Sequence, residues 1–236
     1  MQSVKRGRPH QDSERTLTQD SILDQAVALI DEVGLEKFSV RALAQRLGVF
    51  PGAIYWHLPT RNMVLAGSVN HCLKDVEPLA DPSDWKAWLT ELLHEYRAIV
   101  RRHPNIAPLI VTQLISNAGA NFKLVDTILD VLTRAGFQGE KLYHAYDIVI
   151  TAKVGFVTME HAALPAEEAE SWTEVMKTTI AGLDETGYPN IYKHRAGLAN
   201  RHFILRWENG VTNPLDASFE AHVYATIEGL RMLLTR

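Results

Sequence analysis

At 236 residues the chain is long for one helical core and natural for a small domain joined to a larger one. Apolar residues make up 46% of it, yet no run approaches the roughly 18 to 20 apolar residues of a membrane span, so a soluble protein with no membrane partner is expected. Cys72 is the only cysteine, which excludes an internal disulfide and a cysteine-based metal cluster, and the net charge of -4 divides unevenly: residues 1–61 hold eight Lys/Arg against seven Asp/Glu, the remainder sixteen against twenty-one.

Residues 1–16 form a basic arm carrying Lys5, Arg6, Arg8 and Arg15. Gln11, Asp12, Ser13 and Glu14 stand where a signal peptide needs an apolar stretch, so a cytoplasmic address is expected. Helical periodicity then runs through nearly the whole sequence, with no period-two pattern bounded by hairpin turns, which predicts an all-α fold. A first helix is predicted over about 19–33, with Thr18 as its cap, Ile22, Ala26, Leu29, Ile30 and Val33 on one face and Gly34 as its stop. A second starts at Ser39, with Phe38 and Leu43 placed as a hydrophobic staple, and Gly48 breaks it. After a short turn comes a third over Pro51 to His57, and Thr60 caps a fourth that ends before Pro78.

The stretch Glu77-Pro78-Leu79-Ala80-Asp81-Pro82 reads as a linker. It separates a unit over 17–76 from a larger one over 82–236. Pro82, with Asp81 as cap, suits the start of a long helix whose apolar stripe includes Trp88, Leu92, Tyr96 and Val100 and stops at His103-Pro104. Further helices are predicted at about 105–115, 120–135, 139–163, 166–181 and 217–235. Between 184 and 216, breakers at Gly187, Pro189, Gly197, Gly210 and Pro214 predict a long loop with short helical pieces.

Two short helices joined by a Gly-containing turn, with a helix packed behind them, are the layout of a three-helix DNA-binding unit, in which the second short helix enters the major groove. The residues themselves sharpen this. Phe38-Ser39-Val40-Arg41-Ala42-Leu43-Ala44-Gln45-Arg46-Leu47-Gly48-Val49, followed by Ala53-Ile54-Tyr55-Trp56-His57-Leu58, resembles the helix-turn-helix of the TetR family of repressors. The resemblance is close over about 17–67 and extends to the rest only as a layout, a helical ligand-binding and dimerisation domain.

Carried over position by position, the resemblance implies DNA contacts from Ser39 and Arg41, from Tyr55, Trp56 and His57 on the recognition helix, and from Arg61 at the start of the fourth. At the tip this chain departs from the tetracycline-responsive members: Phe50, Pro51, Gly52 and Ala53 lack the amide and hydroxyl that read base edges there, so a different operator is implied. Trp56 is divided evenly between core packing and backbone contact. Upstream, Lys5, Arg6 and Arg8, with Gly7 and Pro9, resemble the core of an AT-hook that lies in a narrow minor groove; a disordered basic tail is the alternative.

No Gly-x-Ser-x-Gly, Gly-x-Gly-x-x-Gly or phosphate loop is present, and no two histidines stand three or four apart as a helical metal pair would, so no catalytic residue, cofactor or metal is expected. The resemblance implies a ligand-responsive transcriptional regulator, with operator DNA and a small organic effector as partners. A non-regulatory helical small-molecule or lipid-binding protein, or a helical enzyme, is the competing reading. The candidate pocket residues are Tyr96, Gln113, Phe122, Phe156, Glu160 and Trp172. Counted from His103, Ile110 and Ala152 stand where tetracycline-binding members have histidines, so a mainly apolar effector is expected in place of magnesium-tetracycline. The resemblance also implies a homodimer, for which the helix at 139–163 offers Leu142, Tyr146, Val149, Ile150 and Val157, and the last helix Phe219, Val223, Ile227, Leu230 and Leu234; a single core could use the same faces.

Overall fold

A computed structural model describes residues 17–116, 121–162, 169–201 and 207–235, and among them every regular element is a helix. The order is α1 (Gln19–Val33), α2 (Val40–Leu47), α3 (Pro51–His57), α4 (Arg61–Leu73), α5 (Trp85–Arg102), a 3-10 turn (Pro104–Ile106), α6 (Ala107–Ser116), α7 (Phe122–Arg134), α8 (Glu140–Glu160), α9 (Ala169–Ala181), α10 (Pro189–Leu198) and α11 (Asp216–Thr235).

The N-terminal unit is fixed by local chemistry. Thr18 and Ser21 close a reciprocal capping box on α1, Ser39 Oγ accepts from the Ala42 amide at the start of α2, and Thr60 Oγ1 accepts from Met63 at the start of α4. Gly48 ends α2 in the left-handed region at φ 68°, where a side chain would be strained; its amide donates to the carbonyls of Ala44 and Gln45. Phe38 and Leu43 are both buried, as the staple requires. Helices α1 and α4 pack side by side through Ile22, Leu23, Ala26, Val64 and Val69, and Arg46 ties α2 to α1 through Glu32 at 2.5 Å and Gln25 at 3.0 Å.

The long stripe of α5 is the spine of the second unit. Trp88, Leu89, Leu92, Leu93, Tyr96, Ile99 and Val100 are buried against α7, α8 and α11. One boundary needs correcting: α5 starts at Trp85, because Asp84 and not Asp81 caps it, accepting from Ala87, while the Asp81 carboxylate is held by the Ser83 amide in the preceding turn. Residues 184–216, expected as loop with short pieces, contain the ten-residue α10, which buries no side chain.

Helices α8 and α11 pack against each other, and here the sequence-based dimer faces are overturned. Val149 and Val157 of α8, and Phe219, Val223, Ile227 and Leu230 of α11, are buried in the protomer's own core, with Leu142, Tyr146, Ile150 and Leu234 packed against it. A helix turns its most apolar face to its own core first, so the richest stripe says nothing about a partner. What is left outside is Tyr143, Ile148 and Thr151 on α8 and Tyr224 and Met232 on α11. Between the two runs an open groove of about 730 Å³, lined by Ile148, Thr151, Ala152, Gly155, Ser218 and Thr226 among others.

Candidate DNA interface and effector-binding body

Helix α3 has a single buried residue, Ile54, and with Leu58 just after it this anchors the helix. The rest of α3 is turned outward or left half-covered, and the exposure is large where it counts: Phe50 is 86% and Trp56 80% exposed. A large apolar side chain gains nothing from such a position in folding, so both are available to another surface. For Trp56 this resolves the even division between core and contact against the core. Its ring meets His57 edge-on, with centroids 4.6 Å apart.

Around this tip stand the other residues expected to meet DNA. Tyr55 and Gly52 are exposed, Pro51, Ala53 and His57 half-buried, and Arg41 projects from the first turn of α2 into solvent. Arg61 opens α4, exposed, with its guanidinium 5.9 Å from the Phe38 ring centre. Ser39 lies on the same side but spends its hydroxyl on capping α2. Lys5, Arg6 and Arg8 lie outside the described residues.

The candidate pocket residues fare less evenly. Tyr96 is buried on α5, Phe156 is buried on α8 and borders the groove beside α11, and Trp172 is half-buried on α9. The Gln113 side chain lies outside the described residues. Phe122 is a correction: at 78% exposed on the first turn of α7 it lines no enclosed site, because α7 turns Leu124, Ile128, Val131 and Leu132 to the core instead. Ile110 and Ala152 are buried apolar residues, so neither position offers a ligand to a metal.

Glu160 has a role that its position alone did not signal. Fully buried, it takes a two-pronged ion pair from Arg97, with Nε donating to Oε2 at 2.9 Å and NH2 to Oε1 at 2.6 Å, and accepts the Leu215 amide at 2.9 Å. Arg97 also reaches Asp216 at 2.9 Å, as Arg101 does, and stacks on the Phe219 ring at 4.4 Å. Burial acts to raise the Glu160 carboxyl, but the hydrogen bonds from Arg97 and Leu215, with the arginine's charge, outweigh it and hold the group below the ordinary carboxylate range. The Gly210 amide donates to the Glu160 carbonyl at 2.7 Å, and a Cβ at 210 would collide with the Glu160 side chain. Glu160 is thus a structural clamp joining α5, α8 and the start of α11. The signal for its partner was a charge, Arg97, standing inside the apolar stripe of α5 between Leu93 and Val100.

A second set of polar contacts anchors α1, the first from within the N-terminal unit and the others from the second unit. His71 on α4 pairs with Asp24 on α1; His103, just after α5, meets Asp31 of α1 at 2.6 Å; and the Asn105 side chain donates to the carbonyls of Ile30 and Asp31 at 3.1 and 3.2 Å. Asn105 therefore adds a second donor to the Ile30 carbonyl, which already accepts the Gly34 amide, and supplies one to the Asp31 carbonyl at the end of α1. Helix α6 packs on α4 as well. None of these side chains stood out in the sequence, because each contact joins residues about 50 to 75 positions apart.

The comparisons with known proteins agree with this division. Residues 22–65 match the family model described as bacterial regulatory proteins, tetR family, and residues 77–233 the model described as tetracyclin repressor-like, C-terminal domain. An HTH-type transcriptional regulator of Saccharopolyspora erythraea is 29% identical over 154 residues, 65% of this chain and 65% of that protein, so the match spans just under two thirds of its length. The class A tetracycline repressor from transposon 1721 of Escherichia coli is 26% identical over 80% of this chain and 94% of its own length. Among solved structures, the Streptomyces coelicolor TetR family protein ActR in complex with actinorhodin superposes with a TM-score of 0.68 at 22% identity, over 92% of this chain and 96% of that one. A helix-turn-helix unit with an exposed reading tip, joined to a helical body that the second model spans almost entirely, places the chain in the TetR family of bacterial transcriptional regulators.

Proposed function

We propose that the chain is a cytoplasmic, non-enzymatic repressor that holds operator DNA as a homodimer and releases it when a small organic molecule enters the body formed by α5 to α11. The single observation that carries this is the reading tip: Phe50 and Trp56 are exposed on a helix anchored by Ile54, beside exposed Arg41 and Arg61. Arg41, Tyr55, His57 and Arg61 would grip phosphates and the groove wall, while Phe50, Pro51 and Ala53 would meet thymine methyl groups. The N-terminal arm, with Lys5, Arg6 and Arg8, would follow the adjacent minor groove.

Dimerisation would use the outer faces of α8 and α11. Thr151, Gly155, Ser218 and Thr226 leave the groove between them shallow enough for a partner helix, and Ile148, Tyr224 and Met232 supply exposed apolar surface at its margins. Two heads on one dimer occupy two half-sites at once, which multiplies affinity without new contacts. Release then requires only that the heads change separation. The polar contacts from His103 and Asn105 to the end of α1, and of α6 against α4, would carry a shift at the α5–α6 junction into the head. The effector must bind one of the two head spacings better than the other for this to happen.

The test is fluorescence anisotropy of the purified chain with the DNA upstream of its own coding region. Sequence-specific binding, weakened by Arg41→Ala in a protein of unchanged melting temperature, supports the reading. Equal binding of random DNA by both proteins contradicts it.

A further inference from the structure

Lysine is among the residues least often buried without a partner. Lys153 departs from that habit. On α8 it has Val149 four residues before it and Val157 and Glu160 four and seven after it, all three buried, so it stands on the inward face of the helix. Its side chain lies against α5: Nζ is 4.8 Å from the ring centre of Tyr96, and that ring is itself buried. Among the described residues no carboxylate, hydroxyl or carbonyl accepts a hydrogen bond from Nζ. Glu160, about two helical turns away, is occupied by Arg97 and the Leu215 amide.

The ammonium is therefore packed against an aromatic face with its hydrogens unspent, while the residue as a whole keeps some accessible surface. Burial pushes its pKa down to about 8, and no neighbouring charge contributes to the shift. At neutral pH it remains mainly protonated. Burial also raises the Tyr96 phenol above its ordinary range, which keeps it protonated and able to donate. A cation and a phenol side by side between α5 and α8, with no carboxylate paired to Nζ among the described residues, are the complement of a ligand that brings its own negative charge.

We propose that Lys153, assisted by Tyr96, is the specificity determinant of the effector site and selects an organic anion, a carboxylate or acidic phenol on an apolar body, inserted between α5 and α8. This rests on the reading that the body takes an effector. A charge-assisted contact in a largely desolvated site discriminates a charged ligand from its neutral counterpart, because the neutral one covers the ammonium without supplying a counter-charge.

The experiment uses the full chain at neutral pH and two fluorescent probes of one ring skeleton, the anion 8-anilinonaphthalene-1-sulfonate and the neutral N-phenyl-1-naphthylamine. The native protein should hold the sulfonate tighter by about tenfold or more. Lys153→Met, which keeps the length and apolar stem, should abolish that preference and leave the neutral probe's affinity unchanged, while Lys153→Arg should retain it. A second measurement needs no variant: limited acetylation of the native protein by acetic anhydride, read by mass spectrometry of its peptides, should find Lys153 protected by the sulfonate and not by the neutral probe. An unchanged probe ratio in Lys153→Met, or no protection of Lys153, would overturn the proposal. Operator binding is read separately by gel shift. A chain that binds operator but shows no Lys153-dependent ratio loses the anion site alone, whereas one that shows the ratio and binds no DNA keeps the anion site and loses the regulator reading.

Discussion

The head and the body of this protein keep their conspicuous side chains on opposite sides of the surface. In the head, the side chains proposed for DNA sit outside: Phe50, Trp56 and Arg41 are exposed, and the fold is held by Ile22, Leu43, Ile54 and Val64 beneath them. In the body, the charged pair sits inside: Arg97 and Glu160 are buried on core-facing stripes of α5 and α8. Exposed groups can change without disturbing the core. Buried charges cannot, because each must be matched by another charge or a hydrogen bond. Head variants should therefore alter binding at constant stability, and body variants should alter both.

The sharpest break of that contrast comes at the buried pair. Glu160→Gln and Arg97→Met each leave a charge buried with too few partners and should cost about 3–5 kcal/mol of stability, read by chemical denaturation. The sign with pH follows from the lowered Glu160 carboxyl: its contribution is complete above the unfolded-state value of about 4.3 and is lost as pH falls through the lower folded-state value. Native protein should thus lose melting temperature more steeply below about pH 4 than Glu160→Gln does. Parallel acid curves would mean that the pair contributes nothing.

On the head the expected losses are smaller and of another kind. Arg41→Ala and His57→Ala should each weaken operator binding by about 1–3 kcal/mol, while melting shifts stay within about 0.5 kcal/mol. A stability loss equal to the binding loss would show that these residues belong to the core after all. Deleting residues 1–10 sharpens the picture further, since each phosphate neutralised contributes about 0.9 to the slope of log K against log salt. The truncated protein should have the shallower slope and lose preference for A/T pairs flanking the half-sites. Equal flank discrimination by both proteins would remove the minor-groove arm.

The smallest expected effect lies at the junction between the two regions. His103→Ala or Asn105→Ala should leave both DNA affinity and probe binding nearly intact while reducing their mutual dependence by about 1 kcal/mol. Titrating operator release against the anionic probe, in native and variant protein, reads that term; unchanged coupling would move the connection to the α6–α4 contact.

How much of this was legible beforehand follows the same division. The head's helices could be read because their signals are local: Thr18, Ser39 and Thr60 each cap a helix three residues away, and Gly48 ends one. The body gave up its helices, from the spacing of its apolar stripes, but not its site. Arg97 and Glu160 are 63 positions apart, Asn105 and Ile30 are 75, and no periodicity links them. The outer faces of α8 and α11, proposed for a partner, were missed for a related reason, since the strongest apolar stripe marks the core. The trace that was available is a charge inside an apolar stripe, as at Arg97 and Lys153, and it marks a buried partner or ligand without saying which.

On the proposed reading, one molecule both reads DNA through its exposed tip and changes that reading through its body. The most direct test is anisotropy of a fluorescein-labelled fragment from upstream of the chain's own gene, titrated with native protein, Trp56→Ala and Lys153→Met, each with and without the anionic naphthalene sulfonate. Native protein should bind specifically and be released by the sulfonate, Trp56→Ala should bind weakly though fully folded, and Lys153→Met should bind as native protein does and resist release. Specific binding by Trp56→Ala equal to the native protein's, together with sulfonate release unaffected by Lys153→Met, would contradict that reading.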